Sequence, residues 1–339
     1  MWVLVSNTNS AAAVINVNGL GSRNIVRRGG AVLLAGDMPA QYKSLLTYNS
    51  IHNNFELYGT GFDPGSGFLP ILTANTNLYV NTATGSDSLY DGTSATVSGS
   101  HGPFQTINRA MNETFRYGPS LYTMTINIAA GTYNEYVVTP SVRGPSLVLN
   151  GANKTTTFIA GATGQHTINV GASNYMTVKN LCTFSSNTTI AGGGPPCHYN
   201  VGGGATIQTD TCASSGSCLG AVFQSFTSGT LLAGNHDFNS GSASGSLFYA
   251  ANGGQTFFYL SAAYNFLGPI TVSSGTAYAS ASGIVATLVP YIPTWSSPGN
   301  VTGPKYGAIL NGVISTGGQS ISWLPGTVAG SLATGGQYG

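Results

Sequence analysis

"YVNTATGSDSLYDGTSATVSGSHGPFQTINRAM", residues 79–111, decides how this chain folds. A β-prone run passes into a loop bearing Asp87 and Asp91, and the loop passes into a segment where Phe104, Ile107, Met111 and Phe115 recur at spacings of three and four. That spacing gathers apolar side chains on one helical face. Arg109, Glu113 and Arg116 fall on the other side, and Gly118 with Pro119 supplies a stop signal. The prediction is one short helix near 104–116 in a chain otherwise made of strands.

Composition agrees. Of 339 residues only 6% are charged, 48 are glycine and 42% are apolar. No run reaches the ~18 to 20 consecutive apolar residues of a membrane-spanning helix, and the apolar content is too high for a disordered chain. Thr, Ser, Asn and Gly fill the gaps, which suits strands and tight turns. A net charge of +1, with Arg23, Arg27 and Arg28 as the one basic cluster, excludes nucleic acid as a partner. The start "MWVLVSNTNS" lacks the basic n-region of a secretory signal, so assembly in the cytoplasm is expected, with no membrane insertion. Cys182, Cys197, Cys212 and Cys218 follow C-x14-C-x14-C-x5-C, which matches no zinc pattern and predicts reduced, unpaired thiols.

Punctuation divides the chain. Residues 1–60 alternate short apolar runs with Asn-Gly, Gly-Gly and Gly-Asp turns and read as a small antiparallel β module. Residues 61–76 read as a linker. Residues 77–292 hold many short strands without intervening helices, which points to stacked β coils with an Asn/Thr-stacked, apolar interior and the 104–116 helix as cap. Residues 293–339, rich in Gly and Pro, read as an extended C-terminal segment with short strands around "YGAILNGVI" and "SISWL".

Three stretches carry a resemblance. "LYVNTATGSDSLYDGTSAT", "GPFQTINRAM" and "INIAAGTYNEYVV" together resemble the start of a pectin-lyase-like right-handed parallel β-helix. "AAAVINVNGLGSRNIVRRGGAVLLAGDMPAQYKSLLTYNSIHNNFELYG" is similar to a small module of bacteriophage tail fibres, and "LNGVISTGGQSISWLPGTVAGSLATGGQYG" resembles fibre C-termini. The resemblance is to bacteriophage tail fibre and tailspike proteins. It implies an all-β fold, a homotrimer in the virion tail, other tail or baseplate proteins as partners, and a host polysaccharide or receptor as target. The chain departs from enzymatic tailspikes in its shorter body.

Function then divides into three expectations: a structural virion protein with a host-receptor-binding β-helix surface, a depolymerase tailspike, or a bacterial surface adhesin. A glycoside hydrolase needs two carboxylates across the scissile bond. Among nine acidic residues, Asp210 and Asp237 are spaced to share one face of neighbouring coils, with His236 as a further acid or base. A polysaccharide lyase would need an Asp cluster beside Lys154, Lys179 or Arg143, and the sequence offers none there. Asp87 and Asp91 are either a Ca2+ loop or turn-forming residues around Gly92, and no cofactor is expected. Among the aromatics of 247–266, Tyr249, Tyr259 and Tyr264 are the candidates for receptor or glycan binding.

Overall fold

The computed structural model describes all residues except 20, 28–29, 39, 41–42, 51, 61–69, 188–194, 240, 242–244, 259–261, 273–278, 283–287, 290–292, 317 and 321. Most of the expected linker and Tyr259 therefore lie outside the described residues. The chain forms two compact units, Met1–Thr73 with Phe115–Ser120, and Ala74–Thr114 with Leu121–Gly339. No helix among the described residues is long and apolar enough to cross a membrane.

The first unit is one five-stranded sheet in the order Trp2–Leu4, Lys43–Asn49, Asn54–Thr60, Ser22–Arg27, Ala13–Asn16. The expected Asn-Gly hairpin is present: Asn18 and Gly19 both take positive φ between two antiparallel strands. The module is not wholly antiparallel, because Ser22–Arg27 runs parallel to Asn54–Thr60 at the centre of the sheet. Ile25, Leu33, Met38, Leu46 and Leu57 form its core. Arg27 grips the buried Asp37 through Nε and Nη2 at 2.7 and 2.8 Å, so one arginine of the basic cluster serves the fold.

The second unit is built by repetition. In one coil the chain forms Thr206–Asp210, Cys212–Cys218 and Ala221–Phe226, and then Thr230–Ala233 returns to pair in parallel with Thr206–Asp210. Repeated, this gives three parallel sheets. The first runs from Thr76–Val80 to Leu288–Val289, the second from Gly131–Asn134 to Thr294–Ser296, and the third from Val137–Val138 to Ser331–Leu332. The protein is thus all-β with a β-helix-like stack of coils. The last part of the chain has the expected strands in "YGAILNGVI", at Tyr306–Ile309 and Val313–Ile314, but it continues the stack rather than trailing from it: Thr294–Ser296, Tyr306–Ile309 and Ser331–Leu332 each add a parallel strand.

Alternation along each strand sends every second side chain inward. Leu78, Ile126, Leu149 and Val178 lie in register through the first sheet and are buried. Tyr199, Phe223 and Phe248 do the same in the third, with ring centroids 5.0 Å apart at each step. The interior is therefore largely apolar, with scattered polar side chains such as Thr183, Thr209, His198 and His236, and the buried asparagines among the described residues are Asn174 and Asn200. Asparagines stack on the outside instead. Asn127 Nδ2 donates to Asn77 Oδ1, Asn150 Nδ2 to Asn127 Oδ1, and Asn180 Nδ2 to Asn150 Oδ1, at 3.2, 3.0 and 3.0 Å.

The corner from the third sheet to the first recurs with one backbone shape. Ala172-Ser173, Gly203-Gly204, Thr227-Ser228 and Asn252-Gly253 are consecutive pairs at positive φ, and Leu310-Asn311 and Thr334-Gly335 repeat the pair toward the end of the chain. Two left-handed residues in succession reverse the chain tightly, so these pairs mark the coil boundaries.

Candidate functional site

The helix spans Ile107–Thr114 and packs against Thr76–Val80, Thr123–Ile128 and Val137–Val138 at the leading end of the stack. Its buried stripe is Ile107, Ala110, Met111 and Thr114, one residue set at i, i+3, i+4 and i+7. Phe104 is buried just before it, whereas Phe115 follows the last helical residue and is 41% exposed, outside the stripe expected for it.

A helix leaves its first N–H groups without internal acceptors. Here carboxylates distant in sequence supply them. Asp87 Oδ1 accepts the N–H groups of Gln105 and Thr106 at 2.8 and 3.0 Å, and its Oδ2 accepts the Thr106 hydroxyl at 2.6 Å. The Thr106 oxygen in turn accepts the Arg109 N–H at 3.1 Å. Glu135, from the first coil, accepts Ile107 N–H on Oε1 and Asn108 N–H on Oε2 at 2.9 and 2.8 Å. Negative charge at this end also suits the helix dipole. Burial pushes the Glu135 carboxyl up; its two N–H donors oppose this and the nearby Asp87 charge adds to it. Arg109 pairs with Glu113 one turn on and lies over the Phe104 ring, 4.5 Å from its centroid.

Asp91 has separate work. It accepts the N–H and hydroxyl of Thr93 at 3.0 and 2.7 Å and meets His101 Nδ1 at 2.6 Å. Burial alone would raise its carboxyl, but the Thr93 and His101 bonds outweigh that and hold it below its usual value. The turn reading holds for Asp91, while Asp87 bonds 18 and 19 residues ahead. Gly92 takes φ +75°, and a Cβ there would lie 2.1 Å from the Phe104 ring. No group of three or more His, Cys, Asp or Glu side chains gathers to hold a metal ion among the described residues.

The hydrolase candidates do not share a face. Asp210 ends a strand of the first sheet in register with Lys179, and its Oδ1 accepts the Asn235 amide at 3.1 Å. Asp237 lies in the second sheet in register with Ala213, ion-paired to Lys154 at 2.6 Å and bonded to the Asn265 amide at 2.8 Å. Alternation then turns His236 away from its neighbour Asp237 and into the interior. Fully buried, it meets Ser214 Oγ at 3.0 Å through Nε2, while Nδ1 has no hydrogen-bond partner. Burial, with smaller contributions from His198 and Lys154, holds its imidazole neutral well below the ordinary range. His198, bonded to Thr183 at 3.0 Å, is pushed down to about 4 by burial.

Every acid among the described residues is engaged within the fold. Asp63 lies outside the described residues. Of the others, Asp37 holds Arg27, Glu56 accepts the Asn49 amide, and Asp87, Asp91, Glu113, Glu135, Asp210 and Asp237 have the partners given above. All four cysteines are buried, and burial pushes the thiols of Cys182 and Cys197 up to about 12 and that of Cys212 up to about 11.

Of the aromatic candidates, Tyr249 is half-buried at an outward position of Ser246–Ala251. Tyr264 is not at the surface: it is 0% exposed, donates its hydroxyl to the Ala233 carbonyl at 2.7 Å and packs 5.2 Å from Trp295. Its strand places it in register with His236, so it shares the inward column.

A cleft of about 250 Å³ opens on the first sheet beside the leading loop. Tyr79, Asn127 and Asn150 line it from the sheet, and Ala95 and Pro103 from the loop; no charged side chain is among its lining residues. No aromatic cluster or acid pair signals this cleft in the sequence, because its walls come from residues 79 to 152 that only the coil register brings together.

No protein-family profile, curated protein or solved structure matches this chain.

Proposed function

We propose that this chain is a structural host-attachment protein of a bacteriophage tail, a fibre or tailspike that works as a homotrimer on a right-handed parallel β-helix. The observation that supports the reading is a three-sheet stack of parallel coils, led by a capping helix and preceded in the chain by a separate β unit. In that reading the first unit attaches to the tail and the stack meets the host surface. The engagement of the described carboxylates in structural bonds supports binding over cleavage of a polysaccharide. Light scattering on the purified chain should give the mass of three copies, immunogold labelling should mark virion tails, and added protein should compete with phage for adsorption to host cells. A monomer that neither labels virions nor competes would end this reading.

A further inference from the structure

The leading cleft has the chemistry of a sugar site. A primary amide carries two N–H donors and two acceptor lone pairs. Within the asparagine ladder, Asn127 and Asn150 each give one N–H to the preceding coil and accept one from the following coil. Each therefore keeps one N–H and one lone pair beyond the ladder, and both side chains are half-buried against the cleft they line. A sugar hydroxyl is likewise donor and acceptor at once, so an amide with one of each free matches it. Successive coils set the amides about 4.8 Å apart along the stack. Tyr79 supplies an aromatic wall for the apolar face of a pyranose ring. The lack of charge among the lining residues selects against uronic or sialic acids, which would have to shed water without gaining a cation.

We propose that this cleft binds a neutral oligosaccharide lying along the ladder, with a ring against Tyr79 and hydroxyls on Asn127 and Asn150. The proposal deepens the host-attachment reading, on which it rests for the biological source of the sugar. It also moves the binding surface from the aromatic coils around Tyr249 to the leading end.

The test is a glycan array of neutral and anionic oligosaccharides probed with the full chain, followed by titration of the neutral sugar that binds. Ala95 is exposed on the loop, so Ala95→Trp fills the cleft without disturbing the core. Asn150→Asp keeps the side-chain shape and removes the donors. Both are expected to weaken binding by more than about tenfold, with an unchanged thermal midpoint for Ala95→Trp, and Tyr249→Ala is expected to bind as the parent does. The proposal fails if no neutral sugar binds, if only anionic sugars bind, or if Ala95→Trp binds normally while Tyr249→Ala does not. The two readings separate cleanly. Sugar binding without competition for phage adsorption would sink host attachment alone, and competition unchanged by Ala95→Trp would sink the cleft alone.

Discussion

In the leading coils the inward column of the first sheet is aliphatic, with Ile126, Leu149 and Val178 in register, and carboxylates from two separate places in the chain hold the helix N-terminus. In the later coils the interior is aromatic, Tyr199, Phe223 and Phe248 stacking in one column and Phe238 with Phe266 in another at 5.2 Å. One backbone plan is thus secured by two chemistries. At the leading end the backbone changes from coil to helix and leaves donors that need acceptors. Farther along, each coil repeats the last and the rings need only stack.

Breaking the aromatic column should have the largest effect. Phe223 is sandwiched between Tyr199 and Phe248 and touched edge-on by His236 and Phe238, so Phe223→Ala should cost about 3–5 kcal/mol in urea unfolding. A loss no larger than that of a surface substitution would show that the rings do not carry these coils.

At the other end Asp87→Ala strands the Gln105 and Thr106 donors and should cost about 1–3 kcal/mol. Because Asp87 and Glu135 serve one helix terminus, the double variant with Glu135→Ala should not equal the sum of the singles. Strict additivity would mean that the helix does not act as a unit. The same double-mutant design separates Asp87 from Asp91, whose local bonds to Thr93 and His101 leave the helix alone.

The two regions should also answer pH in opposite senses. His198 and His236 are neutral in the fold, so the unfolded chain takes up protons that the fold does not. Their contribution is full above the usual value of 6.5 and is lost as pH falls from there through about 4 for His198. Glu135, with its carboxyl raised, contributes most in acid and loses that contribution as pH rises through the raised value. Replacing His198 by Asn and His236 by Phe should therefore flatten the fall in thermal midpoint between about pH 7 and about pH 5. An equal fall in parent and variant would rule out both imidazoles as its source.

The smallest effect concerns the corners. Ala172 holds a left-handed φ of 55°, and Ala172→Gly should relieve about 1 kcal/mol of that strain, partly offset by glycine's extra chain entropy. A drop in stability would mean that the Ala172 side chain makes packing contacts worth more than the strain.

Much of the strand content was legible. The short alternating runs and the Phe104–Met111 spacing identified the strands and the helix, because burial imposes those periods directly. The coil period was not legible. The corner pairs share a backbone shape but not residues: Gly203-Gly204 announces itself, while Thr227-Ser228 and Leu310-Asn311 do not. For the same reason residues 293–339 read as a tail when they continue the stack. The inward position of Tyr264 is not legible because Tyr249 and Tyr264 stand on different sheets, and inward phase is set by each strand's own register. The role of Glu135 could not be read either. Its signal was negative, a helix beginning Ile-Asn-Arg after Thr106 with no acid in its first turn.

The uniform corners have a consequence for how such a chain can change. Between the third sheet and the first, the connections 171–174, 202–205, 227–229 and 252–254 are short after a longer first one at 139–145, but between the second and third they run from 219–220 to 161–167 and 188–198. Length varies most on the edge between the second and third sheets, where an inserted residue alters neither the register of the sheets nor the phase of the interior. Lineages carrying this architecture can therefore accept insertions and deletions along that edge while every ring and amide in the columns keeps its neighbours.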